Sequence, residues 1–155
     1  MIQRIQSIWF FLAALTLVLM LFLPIATKTV DGSEAKIFTN GLHHFLEGKT
    51  GKVLNVEVFL PLLITHIAVA IICFINIFNY KKRSFQKRFA IVSIILIVGF
   101  AFWCSIYAKE LPGGVKGASF GIGAYLPAAA ILFIVLGIFG INKDERLIRS
   151  AERLR

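Results

Sequence analysis

Between two long apolar runs the chain carries Lys81 to Arg88, KKRSFQKR, which holds five basic residues and no acidic one. Basic segments beside membrane-crossing helices stay in the cytoplasm. This stretch therefore sets the direction in which every other element is threaded. The chain is 58% hydrophobic and 16% charged, against roughly half apolar and a quarter charged in a soluble domain. Its 155 residues suit a single domain. The fold class that follows is an all-α integral membrane protein, a four-transmembrane-helix bundle. Helices are expected at about 5–26, 58–80, 89–108 and 120–142, a small β-prone extracytoplasmic cap at 27–57, a cytoplasmic basic loop at 81–88 and a cytoplasmic amphipathic tail helix at 143–155.

The first apolar run, Ile8 to Ala26, spans about 28 Å as a helix against a bilayer core of about 30 Å. It exceeds the apolar core of a secretory signal, and no clean Ala-x-Ala site follows, so it reads as a retained helix. Trp9 is placed to anchor it at the interface. On this threading eleven of the 17 Lys and Arg residues lie inside, and both termini are cytoplasmic. The net charge of +9 sits at the flanks of apolar runs and not along one stripe, which speaks for orientation and anionic lipid and against nucleic acid.

Residues 27–57 nearly balance acid and base, as an outer segment should. Asp31-Gly32 and Thr39-Asn40-Gly41 are turn signals, and Lys36–Thr39 and Lys52–Phe59 alternate like strands of a hairpin or meander. Such a sheet needs the bundle or a partner to pack on. Pro24, Pro61, Pro112 and Pro127 all map to the outer third. That pattern fits either prolines tolerated at helix ends or a splayed end that holds a lipid or partner.

Within the second span Thr65, His66, Cys73 and Asn76 share an arc of about 100°. That arc should face protein, because an unbonded Asn or His in hydrocarbon is costly. Counting depth from the basic loop sets Asn76 level with Ser93, each about 6 Å from the inner edge. They are expected to meet. The same count sets His66 level with Trp103 and near Tyr125, which with Pro127 outlines a candidate outer groove. No Asp or Glu lies in the four spans, so a proton path through His66 lacks acidic stations, and a hydrogen-bonded structural histidine is the favoured reading. Cys73 and Cys104, about 10 Å and about 22 Å from the inner edge, lie too far apart for a disulfide.

Gly117, Gly121, Ala124 and Ala128 line one side of the fourth span, and Gly123, Ala130 and Gly137 the other. Two small-residue faces imply close packing on both sides, by neighbouring helices or by a partner chain. His43, His44 and Glu47 would suit a metal only on a helix, a weak signal, so no metal site is assigned. The chain has no nucleotide-binding, redox, metalloprotease or serine-hydrolase signature. No catalytic residue and no cofactor is expected, and the chain reads as not an enzyme.

The tail, DERLIRSAERLR, sets Leu147, Ile148, Ala151 and Leu154 on one helical face, and Glu145 four residues before Arg149. It either continues the fourth helix or lies along the inner surface. Arg146, Arg149, Arg153 and Arg155, with Lys81, Lys82, Arg83, Lys87 and Arg88 of the loop, are candidates for lipid contact or docking.

MIQRIQSIWF, GAYLPAAAILF and this tail together resemble a family of small four-span Bacteroidetes membrane proteins known as domain of unknown function 4293. The resemblance covers essentially the whole chain and implies a bacterial inner-membrane location, with no activity or site attached. The topology also looks like the claudin type, although the first outer loop lacks that group's tryptophan-rich motif and paired cysteines. The resulting expectation is a noncatalytic inner-membrane accessory or scaffold protein that contacts the bilayer, anionic lipid included, and a membrane-protein partner or a second copy. The alternative is a small carrier or lipid-handling protein with an outer-leaflet groove near His66, Trp103 and Tyr125.

Overall fold

A computed structural model describes residues 3–30, 33–46 and 53–153. Four helices, α1 (Gln3–Met20), α2 (Leu60–Phe78), α3 (Arg83–Tyr107) and α4 (Leu126–Arg153), form a ring in which each packs on the next and α4 returns to α1. Five strands, β1 (Ala26–Val30), β2 (Ser33–Phe38), β3 (Gly41–Leu46), β4 (Val53–Val58) and β5 (Ser119–Phe120), form one antiparallel sheet in the order β4-β3-β2-β1-β5. Three helical segments, Leu60–Phe78, Arg83–Glu110 and Ile122–Ile148, are long and apolar enough to cross a membrane.

The helices meet along seams that the sequence spaces regularly. Buried positions fall at Leu62, His66, Val69, Cys73 and Asn76 in α2, at Gln86, Ala90, Ser93, Ile97, Phe100 and Cys104 in α3, and at Ala130, Ile134, Gly137, Ile141 and Asp144 in α4. Steps of four and three average 3.5 residues, the period that keeps one stripe facing its neighbour in left-handed packing. Small residues let α4 close on α1. A side-chain carbon added at Gly137 would lie 3.0 Å from the Phe10 ring, and one at Gly140 3.0 Å from the Gln6 side chain. The opposite side of α4, at Ala128, Leu132 and Phe139, is exposed. Gly117, Gly121, Gly123 and Ala124 precede α4, which starts at Leu126 and not near residue 120, so they form no stripe on it.

α1 stops at Met20, short of the apolar run's end at Ala26. Pro24 has no N–H to give the Met20 carbonyl and disfavours helix at Leu23. The amides of Leu21 and Phe22 instead turn to the carbonyls of Val18 and Leu19, each at 3.1 Å. The chain then straightens, and the Ile25 amide donates to the Ile37 carbonyl at 2.7 Å.

The sheet is larger than the strand signals foretell. β2 and β3 join through Thr39-Asn40, with Phe38 opposite Gly41. A side chain at Gly41 would collide with the Glu57 carbonyl. The Asp31-Gly32 turn signal lies outside the described residues. β5 comes from the far side of α3. Left-handed turns at Gly113, Gly114 and Gly117 (φ 70°, 71° and 76°) bring Ser119 and Phe120 beside Thr27 and Ala26. Their seam is closed by the Thr27 and Ser119 hydroxyls at 2.6 Å and by Lys28 Nζ donating to the Gly114 carbonyl at 2.8 Å. Ala26, Ala35, Ile37 and Leu42 on the sheet's inner face bury a second core against Met20, Phe59, Leu62, Phe100 and Cys104.

The basic segment is helical and not a loop. The chain reverses within Asn79–Lys81, and α3 starts at Arg83, six residues before the expected 89. The tail continues α4 without a break to Arg153.

Candidate functional site

Three buried polar side chains, His66, Gln86 and Gln6, tie neighbouring helices together, whereas the buried side-chain oxygen of Asn76 has no partner among the described residues. His66, fully buried, donates from Nε2 to the Leu17 carbonyl of α1 at 2.8 Å and stacks on Phe100 of α3, ring centres 4.9 Å apart. That carbonyl is free because the Leu21 amide goes to Val18, so one imidazole supplies the bond that the tightened end of α1 gives up. Asn76 and Ser93 do not pair. Gln86 takes the place beside Asn76, donating from Nε2 to its carbonyl at 3.1 Å, while Ser93 sits beside Cys73 and bonds the Phe89 carbonyl at 2.9 Å. The cause is the early start of α3, which moves every level on that helix. Thr65 lies off the seam and bonds back to the carbonyls of Pro61 and Leu62 of its own helix. Cys73 and Cys104 are both buried free thiols.

The candidate groove residues are not gathered around a cleft. His66 is sealed between α1 and Phe100, Pro127 is buried, and Tyr125 is 67% exposed. Trp103 leans on Tyr107, ring centres 6.4 Å apart, and Tyr107 in turn covers Phe59 at 4.5 Å. Apolar side chains of the second core fill this end. His43 and His44 stand on a strand, where neighbours point to opposite faces, so the helical spacing toward Glu47 does not apply. Glu47 itself lies outside the described residues.

The accessible chemistry gathers at the opposite end. There Lys82, Arg83, Ser84, Phe85 and Arg88 from the start of α3 face Glu145 and Ile148 of α4 across a cleft of about 690 Å³. Lys87 engages the cleft's carboxylate, reaching Asn142 at 3.0 Å and Glu145 at 2.8 Å. On the other flank of α4, Gln6 of α1 bonds the buried Asp144 carboxylate. These two clasps hold the helix that then projects with Arg146, Leu147, Ile148 and Ser150 exposed. Of the sequence candidates, Lys82, Arg83, Lys87, Arg88 and Arg146 are brought to this end. Lys81, Arg149 and Arg153 have no described side chain, and Arg155 lies outside the described residues. Gln6, Gln86, Asn142 and Asp144 escaped the sequence reading, and Glu145 was noted there only for its spacing from Arg149. For Gln86 and Asp144 the continued four-three spacing of each helix was the available signal.

A family model described as Domain of unknown function (DUF4293) matches residues 2–154. No curated protein matches the chain. The extent of the family match covers all four helices and the whole sheet, and the chain therefore belongs to the DUF4293 family.

Proposed function

We propose that the chain is a noncatalytic accessory or scaffold protein of a bacterial inner membrane, with four spans, both termini in the cytoplasm and a sheet that caps the outer end. Three spans follow from length and composition. The fourth is supported by α1 packing along α4 from Gln6 beside Asp144 to Phe10 beside Gly137, and by the Pro24 carbonyl after α1, which accepts from the Gly123 amide ahead of α4 at 3.1 Å. On this reading α1 crosses beside α4. The basic start of α3 and the basic end of α4 share one end, which the positive-inside rule assigns to the cytoplasm.

The observation that carries the accessory role is the continuity of α4. A helix of 28 residues clasped at Asp144 and Glu145 presents Arg146, Leu147 and Ser150 at fixed positions beyond the clasps. A loose orienting tail needs no such clasps. The noncatalytic reading draws support from His66, Gln86, Ser93 and Gln6, whose bonds run to helix backbones or, for Gln6, to Asp144. The expected partner is a membrane protein or a second copy that packs on the Leu147 face.

The test is extraction of the full chain into nanodiscs beside a Leu147→Asp, Ser150→Asp variant, with the mass of each complex measured. A complex of fixed stoichiometry held by the full chain and lost in the variant supports the reading. A full chain that is monomeric and carries no protein overturns it.

A further inference from the structure

We propose that the cleft between the start of α3 and α4 binds the phosphate of an anionic phospholipid, gripped by Arg83, Arg88 and Lys82, with the lipid's apolar part against Phe85 and Ile148. The inference rests on this end facing the inner leaflet and not on the docking role of α4. The charges are complementary. Three cations line the cleft with one carboxylate, Glu145, and that carboxylate is already engaged by Lys87 at 2.8 Å. Lys82, Arg83 and Arg88 make no ion pair among the described residues. Arginine's planar fork matches two phosphate oxygens at once, and the Ser84 hydroxyl adds a donor.

The position selects a lipid over a soluble anion. The apolar run of α3 begins at Phe89, just past Arg88, so the cleft lies where hydrocarbon gives way to water, the level of a lipid phosphate. Phe85 and Ile148, 50% and 44% exposed, give the site apolar walls. Phe85 stacks on Phe89, ring centres 5.6 Å apart, which carries that wall one turn toward the hydrocarbon. A volume of about 690 Å³ falls within the range of small-ligand sites, about 300–1,000 Å³. Basic pockets between helices at the cytoplasmic face are recognised headgroup sites in general, whereas inorganic phosphate would gain nothing from the two apolar walls.

The test uses the delipidated full chain given an equal mixture of phosphatidylglycerol and phosphatidylcholine with matched acyl chains, with retained lipid read by native mass spectrometry. Phosphatidylglycerol should be retained preferentially. Arg83→Gln with Arg88→Gln should weaken retention by about tenfold, and Lys109→Gln with Lys116→Gln, an equal loss of charge at exposed positions beyond the far end of α3, should leave it unchanged. Equal losses in both pairs, or equal retention of the two lipids, would overturn the site. Displacement by millimolar inorganic phosphate would overturn its assignment to a lipid. If the glutamine pair fails to fold, Arg83→Lys with Arg88→Lys, which keeps charge and removes the fork, should still lower retention. A full chain that is monomeric and carries no protein partner while still retaining phosphatidylglycerol would fail the docking reading alone.

Discussion

His66 carries more of the bundle than its size suggests, because it satisfies a backbone carbonyl that no amide of α1 can reach. Replacing it by leucine keeps the volume roughly constant and leaves the Leu17 carbonyl unpaired in an apolar core. The expected loss is about 1–2 kcal/mol, read as a lower melting temperature in detergent. His66→Gln, which keeps an N–H donor, should lose less. A leucine variant as stable as the parent would mean that the carbonyl finds another donor. His43 is the residue whose charge state matters at the sheet end. It lies among Phe38 and Phe45, opposite Lys36, with Nε2 3.2 Å from Asn40 Oδ1. Burial lowers its pKa from 6.5. The unfolded chain then takes up the proton first as pH falls. The contribution of neutral His43 is complete above pH 6.5 and is lost progressively below it. Melting followed from pH 7.5 to 5 should show that loss in the parent chain and a smaller one in His43→Phe.

Between elements, the clasps at the basic end are the contacts to cut. Lys87 and Glu145 leave about a quarter of each side chain exposed, 27% and 23%, so their coupling should be near that of surface pairs. A double-mutant cycle with Lys87→Met and Glu145→Gln should give about 0.5–1 kcal/mol, shrinking in high salt. Zero coupling would show that Asn142 alone holds Lys87. The same pair marks how far the sequence could be read. The shared arc of Thr65, His66, Cys73 and Asn76 was visible because polar residues in an apolar run betray the face that meets protein, although Thr65 falls at its edge and off the seam. Gln86 was hidden, and Lys87 was named only as a loop charge, because charge made residues 81–88 look like a loop, although a polar helix turn has the same composition. Ile25 is as apolar as Leu19, and hydropathy cannot tell that one pairs in a sheet while the other turns in a helix. β5 has only two residues, and pairing with β1 alone makes them a strand.

For the whole molecule, the number of crossings decides which surfaces can ever meet a partner. If α1 crosses with α4, an even number of spans puts both ends of the chain on one side. If only the three longer helices cross, the ends are on opposite sides. The two native thiols simplify the measurement, since Cys73 and Cys104 are 2% and 4% exposed and should stay silent to a water-soluble maleimide in the folded protein. A cysteine at Ser150, on the exposed end of α4, and one at Thr29, exposed on β1, then report the two faces of the membrane. In intact cells Thr29→Cys should label and Ser150→Cys should label only after permeabilisation. A reporter fused ahead of Met1 should behave as Ser150→Cys does. Should the reporter side with Thr29, α1 would not span, the ring of helices would lie partly outside the bilayer, and the four-span proposal would fail. Should Ser150 itself label from outside, the basic cleft would face away from the inner leaflet, and its lipid assignment would fall with the orientation.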